Sequence, residues 1–304
     1  MGRGARRARG VSAPEAEVFD GLSCELGEGP LWHPGEGRLY WFDILGRRMH
    51  ASGGRDRQSW EFDAHPSAAA LTSDPARLLV AAGDALLLID PARDARERIA
   101  DLETEGGALR PNDGLADPWG GFWIGTLLLE HGPEGRGGSG AIWRWRGGEM
   151  RRLHAPVPIP NAICFDAGRA LAFWADTDGQ VIFRQPMHTE TGWPEGEAEP
   201  HIDLRGTDLK PDGARIDAEG VLWNAQWGAG RVAAYDPEGR FLRAIPVPAP
   251  HASCPAFGGA DLSTLFVTTA REGLPPERLA DPAHGRTYAI RGAARGRPEP
   301  RVLL

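Results

Sequence analysis

Six times along its 304 residues the chain repeats one short plan: an apolar strand, a tight turn rich in Asp, Gly and Pro, then a second strand rich in aromatic and β-branched residues. The units begin at Glu28 (EGPLWHPGEGRLYWFD), Ala68 (AAALTSDPARLLVAAG), Asn112 (NDGLADPWGGFWIGT), Asn161 (NAICFDAGRALAFWAD), Asp212 (DGARIDAEGVLWNAQ) and Pro255 (PAFGGADLSTLFVTT). Each reads as a β-hairpin. Several units run on into a further strand, as in GAIWRW, GQVIFRQ and GRVAAYDPEG. The starts lie 40 to 51 residues apart, the period of a four-stranded propeller blade. The expectation is an all-β, six-bladed β-propeller with four-stranded blades. A β-sandwich would give no reason for six matched hairpins at this spacing.

Residues 15–304 are expected to form this single domain, with EAEVFD at 15–20 closing the ring as a strand of the last blade. The 41 Gly, 26 Pro and 11 Trp suit many short strands and turns, and no stretch reads as a long helix. Residues 1–14 read as a disordered Arg-rich tail, without the apolar segment of a secretory signal. The net charge is −8, and four arginines in the first ten residues leave the remainder more acidic still. An acidic body repels phosphate backbones and anionic lipid, so neither nucleic acid nor membrane is an expected partner. No run approaches the length of a membrane span, and the expected location is cytoplasmic. Cys24, Cys164 and Cys254 are odd in number and widely spread. They form neither a disulfide framework nor a thiolate metal site, and read as packing residues.

Counting back from the apolar residue after each turn (Leu39, Leu78, Phe122, Leu171, Leu222, Leu265) places Glu28, Ala68, Asn112, Asn161, Asp212 and Pro255 at equivalent positions. Blades are related by rotation about one axis, so these positions form a ring at one end of the central channel. Four oxygen-bearing side chains would then converge. Burying such groups together costs several kcal/mol, roughly, for each unpaired charge. A hard divalent cation removes that cost: carboxylate and amide oxygens suit Ca²⁺, Mg²⁺ or Mn²⁺, and Zn²⁺ and Fe²⁺ also accept them. Asn and Asp also begin turns, but Glu28 is a poor turn former in the same slot. Asp113 lies one position off the ring and reads as a residue that orients the loop. The nine histidines show no ligand spacing and are expected in surface positions and loops. The acidic stretch from Glu195 to Glu199 reads as a solvated face.

The motifs LGEGPLWHP (26–34), RPNDGLADPWGGFWIGT (110–126), PNAICFDAG (160–168), PDGARIDAEGVLW (211–223) and FGGADLSTLFVTTAREGL (257–274) resemble the gluconolactonase family that includes regucalcin, and especially its bacterial aldonolactonases. The resemblance covers roughly residues 15 to 304. It implies one divalent metal ion ligated by Glu28, Asn161 and Asp212, substrate contacts from Arg110, Asn112 and Glu130, and hydrolysis of a sugar-acid lactone. Asp212 is the candidate general base, worth about 10²- to 10⁴-fold in rate, and a guanidinium fork such as that of Arg110 suits sugar oxygens. The family's Asn-Gly pair reads Asn161-Ala162 here, which excludes a backbone conformation open only to glycine. The loop from Leu127 to Ser139 and the segment near His65 and Ser67 are less typical, and such loops shape substrate choice. Two other functions fit parts of the pattern. One is a metal-dependent arylesterase or phosphotriesterase on a similar ring; the other is a non-catalytic metal-binding scaffold.

Overall fold

The computed structural model describes residues 14–102, 109–129 and 140–304. Residues 1–13 of the tail expected over 1–14, and Glu130, lie outside the described residues. Strand β1 (Ala16–Asp20) opens the described chain. Blade one comprises β2 (Gly27–His33), β3 (Arg38–Asp43), β4 (Arg48–Ser52) and β5 (Arg57–Glu61). Blade two comprises β6 (Pro66–Thr72), β7 (Leu78–Ala82), β8 (Ala85–Asp90) and β9 (Ala95–Asp101). Blade three follows with β10 (Leu109–Ala116), β11 (Phe122–Leu128), β12 (Ala141–Arg146) and β13 (Glu149–His154). Blade four holds β14 (Pro160–Asp166), β15 (Leu171–Asp176), β16 (Val181–Pro186) and β17 (Glu199–Asp203). Blade five holds β18 (Lys210–Ile216), β19 (Leu222–Trp227), β20 (Arg231–Tyr235) and β21 (Phe241–Pro246). Blade six has β22 (Ala252–Gly258), β23 (Thr264–Thr269), the four-residue helix α1 (Pro276–Leu279) and β24 (Thr287–Arg291), with β1 as its outer strand.

Each blade is antiparallel, and the innermost strands β2, β6, β10, β14, β18 and β22 touch one another in that order round a closed ring. The expected closure at 15–20 is observed, because β1 pairs with β24 from Ala16 opposite Ile290 to Asp20 opposite Thr287. One addition was not expected. The short strand β25 (Arg301–Val302) pairs in parallel with β6, giving blade two a fifth strand. Among the described residues no helix is long and apolar enough to cross a membrane.

Turn chemistry explains why the hairpins form where they do. Asp117 accepts hydrogen bonds from the backbone N–H groups of Trp119 and Gly121, both at 2.9 Å, and Asp217 does the same for Glu219 and Val221. An Asp that caps its own turn fixes the hairpin register. Just after three of these turns stand Trp41, Trp123 and Trp223, all 1% exposed or less. Each removes roughly 150–250 Å² of surface from water where neighbouring blades meet. The three cysteines are free and buried in this packing. Histidine departs from expectation: His33, His50 and His284 are buried. His33 Nδ1 accepts the Glu36 N–H at its turn, and His50 shares a 2.8 Å hydrogen bond with Ser59 beneath Trp41. His284 Nδ1 lies 3.0 Å from the Arg278 carbonyl, whereas His50 Nε2 is buried without a partner among the described residues.

The segment after β24 crosses the far end of the channel. Ala218 N–H donates to Arg295 O, Gly296 N–H to Leu262 O, and Leu303 N–H to Gly120 O. Inside it, Arg215 meets Glu299 at 3.3 Å, with side chains only 6% and 10% exposed. This strap seals one mouth and leaves the other open.

Candidate functional site at the open mouth

Every innermost strand carries a β-bulge at the same level. The pairing slips between Glu28 and Leu31, Pro66 and Ala68, Pro111 and Gly114, Asn161 and Cys164, Pro211 and Ala214, and Ala252 and Pro255. A bulge turns one side chain out of the regular alternation, and here it turns them toward the axis. The register also corrects the ring positions. Counting back four residues from the partner of each residue after the turn gives Glu28, Ser67, Asn112, Ala162, Asp212 and Ser253. Ala68 and Pro255 are therefore displaced from the ring, because turn and bulge lengths differ between blades. Ala68 is fully buried in the packing between blades two and three. Asn161 stands one residue beyond its nominal slot, next to Ala162.

Ala162 has φ 54°, matching Gly29 at φ 54° after Glu28. Both residues lie in the left-handed region, which costs a non-glycine residue roughly 1–2 kcal/mol. The conformation is thus open to alanine, as expected, but it is one that glycine would relax. Gly29 has no such latitude: a Cβ there would lie 2.2 Å from the Ser67 carbonyl oxygen.

Five of the six candidate residues line one cavity of about 280 Å³, namely Glu28, Arg110, Asn112, Asn161 and Asp212. A hydrogen-bond chain runs across three blades. Arg110 donates to the Asn112 side-chain oxygen at 2.8 Å, Asn112 Nδ2 to Asn161 Oδ1 at 3.0 Å, and Asn161 Nδ2 to Thr177 Oγ1 at 2.9 Å. Thr177 then donates to the Pro211 carbonyl at 2.7 Å, beside Asp212. This chain sets which end of each amide faces the axis. Asn224 Nδ2 holds the Asp212 backbone from behind through its carbonyl at 2.8 Å. Asp113 takes the orienting part expected of it, accepting the Ile163 N–H across the blade boundary at 2.7 Å.

The electrostatics are unusual for a site with no other function. Burial, with repulsion from Asp113, pushes the Glu28 carboxyl up to about 8. Burial and then repulsion from Glu28 push Asp212 well above the ordinary carboxylate range. The charges of Arg110 and Arg215 lower the Glu28 value but do not offset burial, and the hydrogen bonds of Arg110 go to Asn112 and the Pro111 carbonyl while Lys210 faces Asp178. Two buried carboxylates and an amide oxygen thus share a cavity, and among the described residues no cation is paired with either carboxylate. A divalent cation fits this donor set, since its charge would reverse both shifts and Asn161 Oδ1 keeps a second lone pair. Among the described residues no group of three or more His, Cys, Asp and Glu is placed to hold a metal, so the amide oxygen is needed to complete the set.

Sequence reasoning missed other residues that line the cavity, including Thr177, Asp178, Lys210, Trp227 and Glu272. Thr177 and Asp178 sit in a stretch, DTDG, that reads as an ordinary turn. One signal was available: Lys210, two residues before Asp212, is the only lysine among the chain's 34 basic Lys and Arg residues.

Known proteins share this architecture and sequence. A 6-deoxy-6-sulfogluconolactonase of Pseudomonas putida is 35% identical over 90% of this chain and 94% of its own length. An L-arabinolactonase of Azospirillum brasilense is 34% identical over 90% of each chain. The solved structure of a calcium-binding protein, regucalcin, from Agrobacterium tumefaciens superposes with a TM-score of 0.90 at 37% identity, covering 96% of this chain and 98% of that one. Residues 26–271 match the profile described as the SMP-30/Gluconolactonase/LRE-like region, and the chain belongs to that family.

Proposed function

We propose that the chain is a metal-dependent hydrolase that opens a sugar-acid lactone to its aldonic acid, as part of sugar breakdown in the cytoplasm. The observation that carries this reading is the meeting of Glu28, Asn161 and Asp212 in one cavity whose two carboxylates are held above their ordinary range. The relatives named as lactonases support the substrate class, and the calcium-binding neighbour supports a divalent ion. Three free, buried cysteines are compatible with a reducing compartment.

Glu28, Asn161 and Asp212 would hold the ion, which when bound supplies a Lewis acid for the lactone carbonyl. The remaining chemistry belongs to the chain. Arg110 presents the N–H groups not spent on Asn112 and Pro111 to the substrate oxygens and fixes the lactone in one orientation; Asn112, whose Nδ2 already donates to Pro160 and Asn161, is a candidate contact through its side-chain oxygen, and Glu130 is a further candidate contact. Holding the ring in place removes orientational entropy from the barrier. Asp212, through a carboxylate oxygen not used to hold the ion, takes a proton from the attacking water. The water oxygen bonds to the carbonyl carbon, the ring C–O bond breaks, and the proton passes to the departing ring oxygen. One water is consumed, and a carboxyl and a hydroxyl are formed.

The test is a pH-drop assay on a panel of lactones, aryl esters and organophosphates, before and after chelation and with divalent ions restored singly. Turnover of lactones in preference to the other esters, lost on chelation and regained with metal, is expected. Equal turnover in chelator would remove the metal from the reaction. Metal binding with no turnover of any ester would replace the enzyme by a scaffold.

A further inference from the structure

The cavity has a rim beyond the proposed metal ligands. Lys210 begins β18, and Asp178 lies in the β15–β16 turn immediately after Thr177. The Lys210 ammonium and an Asp178 carboxylate oxygen are 3.6 Å apart, and the two side chains are 50% and 42% exposed. That spacing is an ionic contact longer than a hydrogen bond, so both groups keep hydrogen-bonding capacity for a ligand.

Their placement is fixed by the site itself. Thr177 accepts from Asn161 and donates to Pro211, which ties the backbone leading to Asp178 against the backbone leading from Lys210. Along an extended strand Lys210 stands roughly 7 Å from Asp212. A lactone whose carbonyl lies at Asp212 therefore reaches the rim with the carbons farthest from that carbonyl. Trp227, stacked on His251 at 4.1 Å, supplies an apolar wall to the same cavity.

Charge decides what the pair can recognise. A lysine and an aspartate in contact are neutral together, and Glu272 adds another carboxylate to the lining. An anionic substituent would gain little net attraction. A hydroxyl both donates and accepts, so two adjacent hydroxyls can satisfy an ammonium and a carboxylate side by side. We propose that Asp178 and Lys210 form a subsite for the exocyclic diol of a sugar lactone, so that hexono-1,4-lactones are favoured over pentono-1,4-lactones. This assignment rests on the lactonase reading above.

The experiment compares kcat/KM of the purified, metal-loaded chain for D-galactono-1,4-lactone and L-arabinono-1,4-lactone, whose rings match and which differ in that diol. For a half-exposed polar subsite the expected preference for the hexonolactone is about 10-fold. Lys210→Met and Asp178→Asn should each bring the ratio toward unity, mainly by raising KM for the hexonolactone. Lys210→Arg should keep most of it, and melting temperatures should show that all variants fold. A ratio near unity in the parent, or an undiminished ratio in both Lys210→Met and Asp178→Asn, overturns the subsite. So does a parent preference for a carboxylate-bearing lactone that disappears in Lys210→Met, because that assigns the lysine to an anion. A parent chain that opens no lactone at all fails at the earlier step and refutes the lactonase reading itself.

Discussion

The two mouths of the channel handle buried charge in opposite ways. At the sealed mouth, Glu299 meets Arg215 and Asp166 meets Arg297 at 3.0 Å, so each acid has a guanidinium. At the open mouth, Glu28 and Asp212 repel one another across the cavity while Arg110 is turned to an amide and a carbonyl. The first arrangement is complete within the protein; the second leaves its two carboxylates unmatched, as the proposed cation site requires. Within one fold, then, buried polar groups that close the structure can be told from those that await a ligand by whether their charges are matched internally.

That contrast can be broken at either end. The largest effect is expected for Asp212→Ala, which removes a proposed ligand and the base together. Lactone turnover should fall about 10²- to 10⁴-fold or more, with loss of the bound ion in metal analysis. At the sealed mouth, Glu299→Ala leaves Arg215 buried without its partner and should cost about 3–5 kcal/mol of stability, read by denaturant unfolding. Its folded fraction should still turn over lactone. If instead Glu299→Ala abolished turnover in fully folded protein, the two mouths would not be independent.

A pH series sharpens the same comparison. The Glu28 carboxyl sits near 8 in the folded chain and Asp212 is raised too. Groups raised on folding favour the native state while protonated, and that contribution is lost as pH climbs through their folded values. The chelated protein should therefore lose melting temperature between about pH 5 and 8, and saturating divalent ion should abolish the decline. The smallest effect is reserved for Ala162→Gly beside Asn161. Relief of the left-handed alanine, less the extra freedom of glycine in the unfolded chain, should raise stability by about 0.5–1 kcal/mol. A drop in stability would show that the alanine methyl is needed for packing.

Much of this was legible in the chain because the signals are local. A hairpin announces itself by its turn residues, and six in succession at a blade-sized spacing leave little choice of architecture. That Glu28, Asn112, Asn161 and Asp212 share one cavity was legible for the same reason, since they stand next to those hairpins. The ring positions of blades two and six were not. A bulge changes the count without leaving a residue signature, so Ala68 and Pro255 stood in for Ser67 and Ser253. The rim was invisible for another reason: Asp178 and Lys210 are brought together by blade packing through Thr177 and Pro211, and nothing in either local sequence names its partner. The buried histidines escaped likewise, because absence of ligand spacing says nothing about whether a ring is packed.

The pairing of β1 with β24 has a bearing on how the molecule is made. Glu17 and Arg291, joined at 2.6 Å across that seam, are 274 residues apart. During synthesis from the N-terminus the first strand must wait, unpaired, until the last blade emerges, and loop closure over such a distance is slow. Until then the blades carrying Glu28 and Asp212 are not held at fixed separation, so a nascent chain lacks the formed cavity in which the proposed cation would sit. Cation capture and ring closure should therefore be late, mutually reinforcing events, and fusions that crowd either end of the seam are where expression of this protein will be most vulnerable.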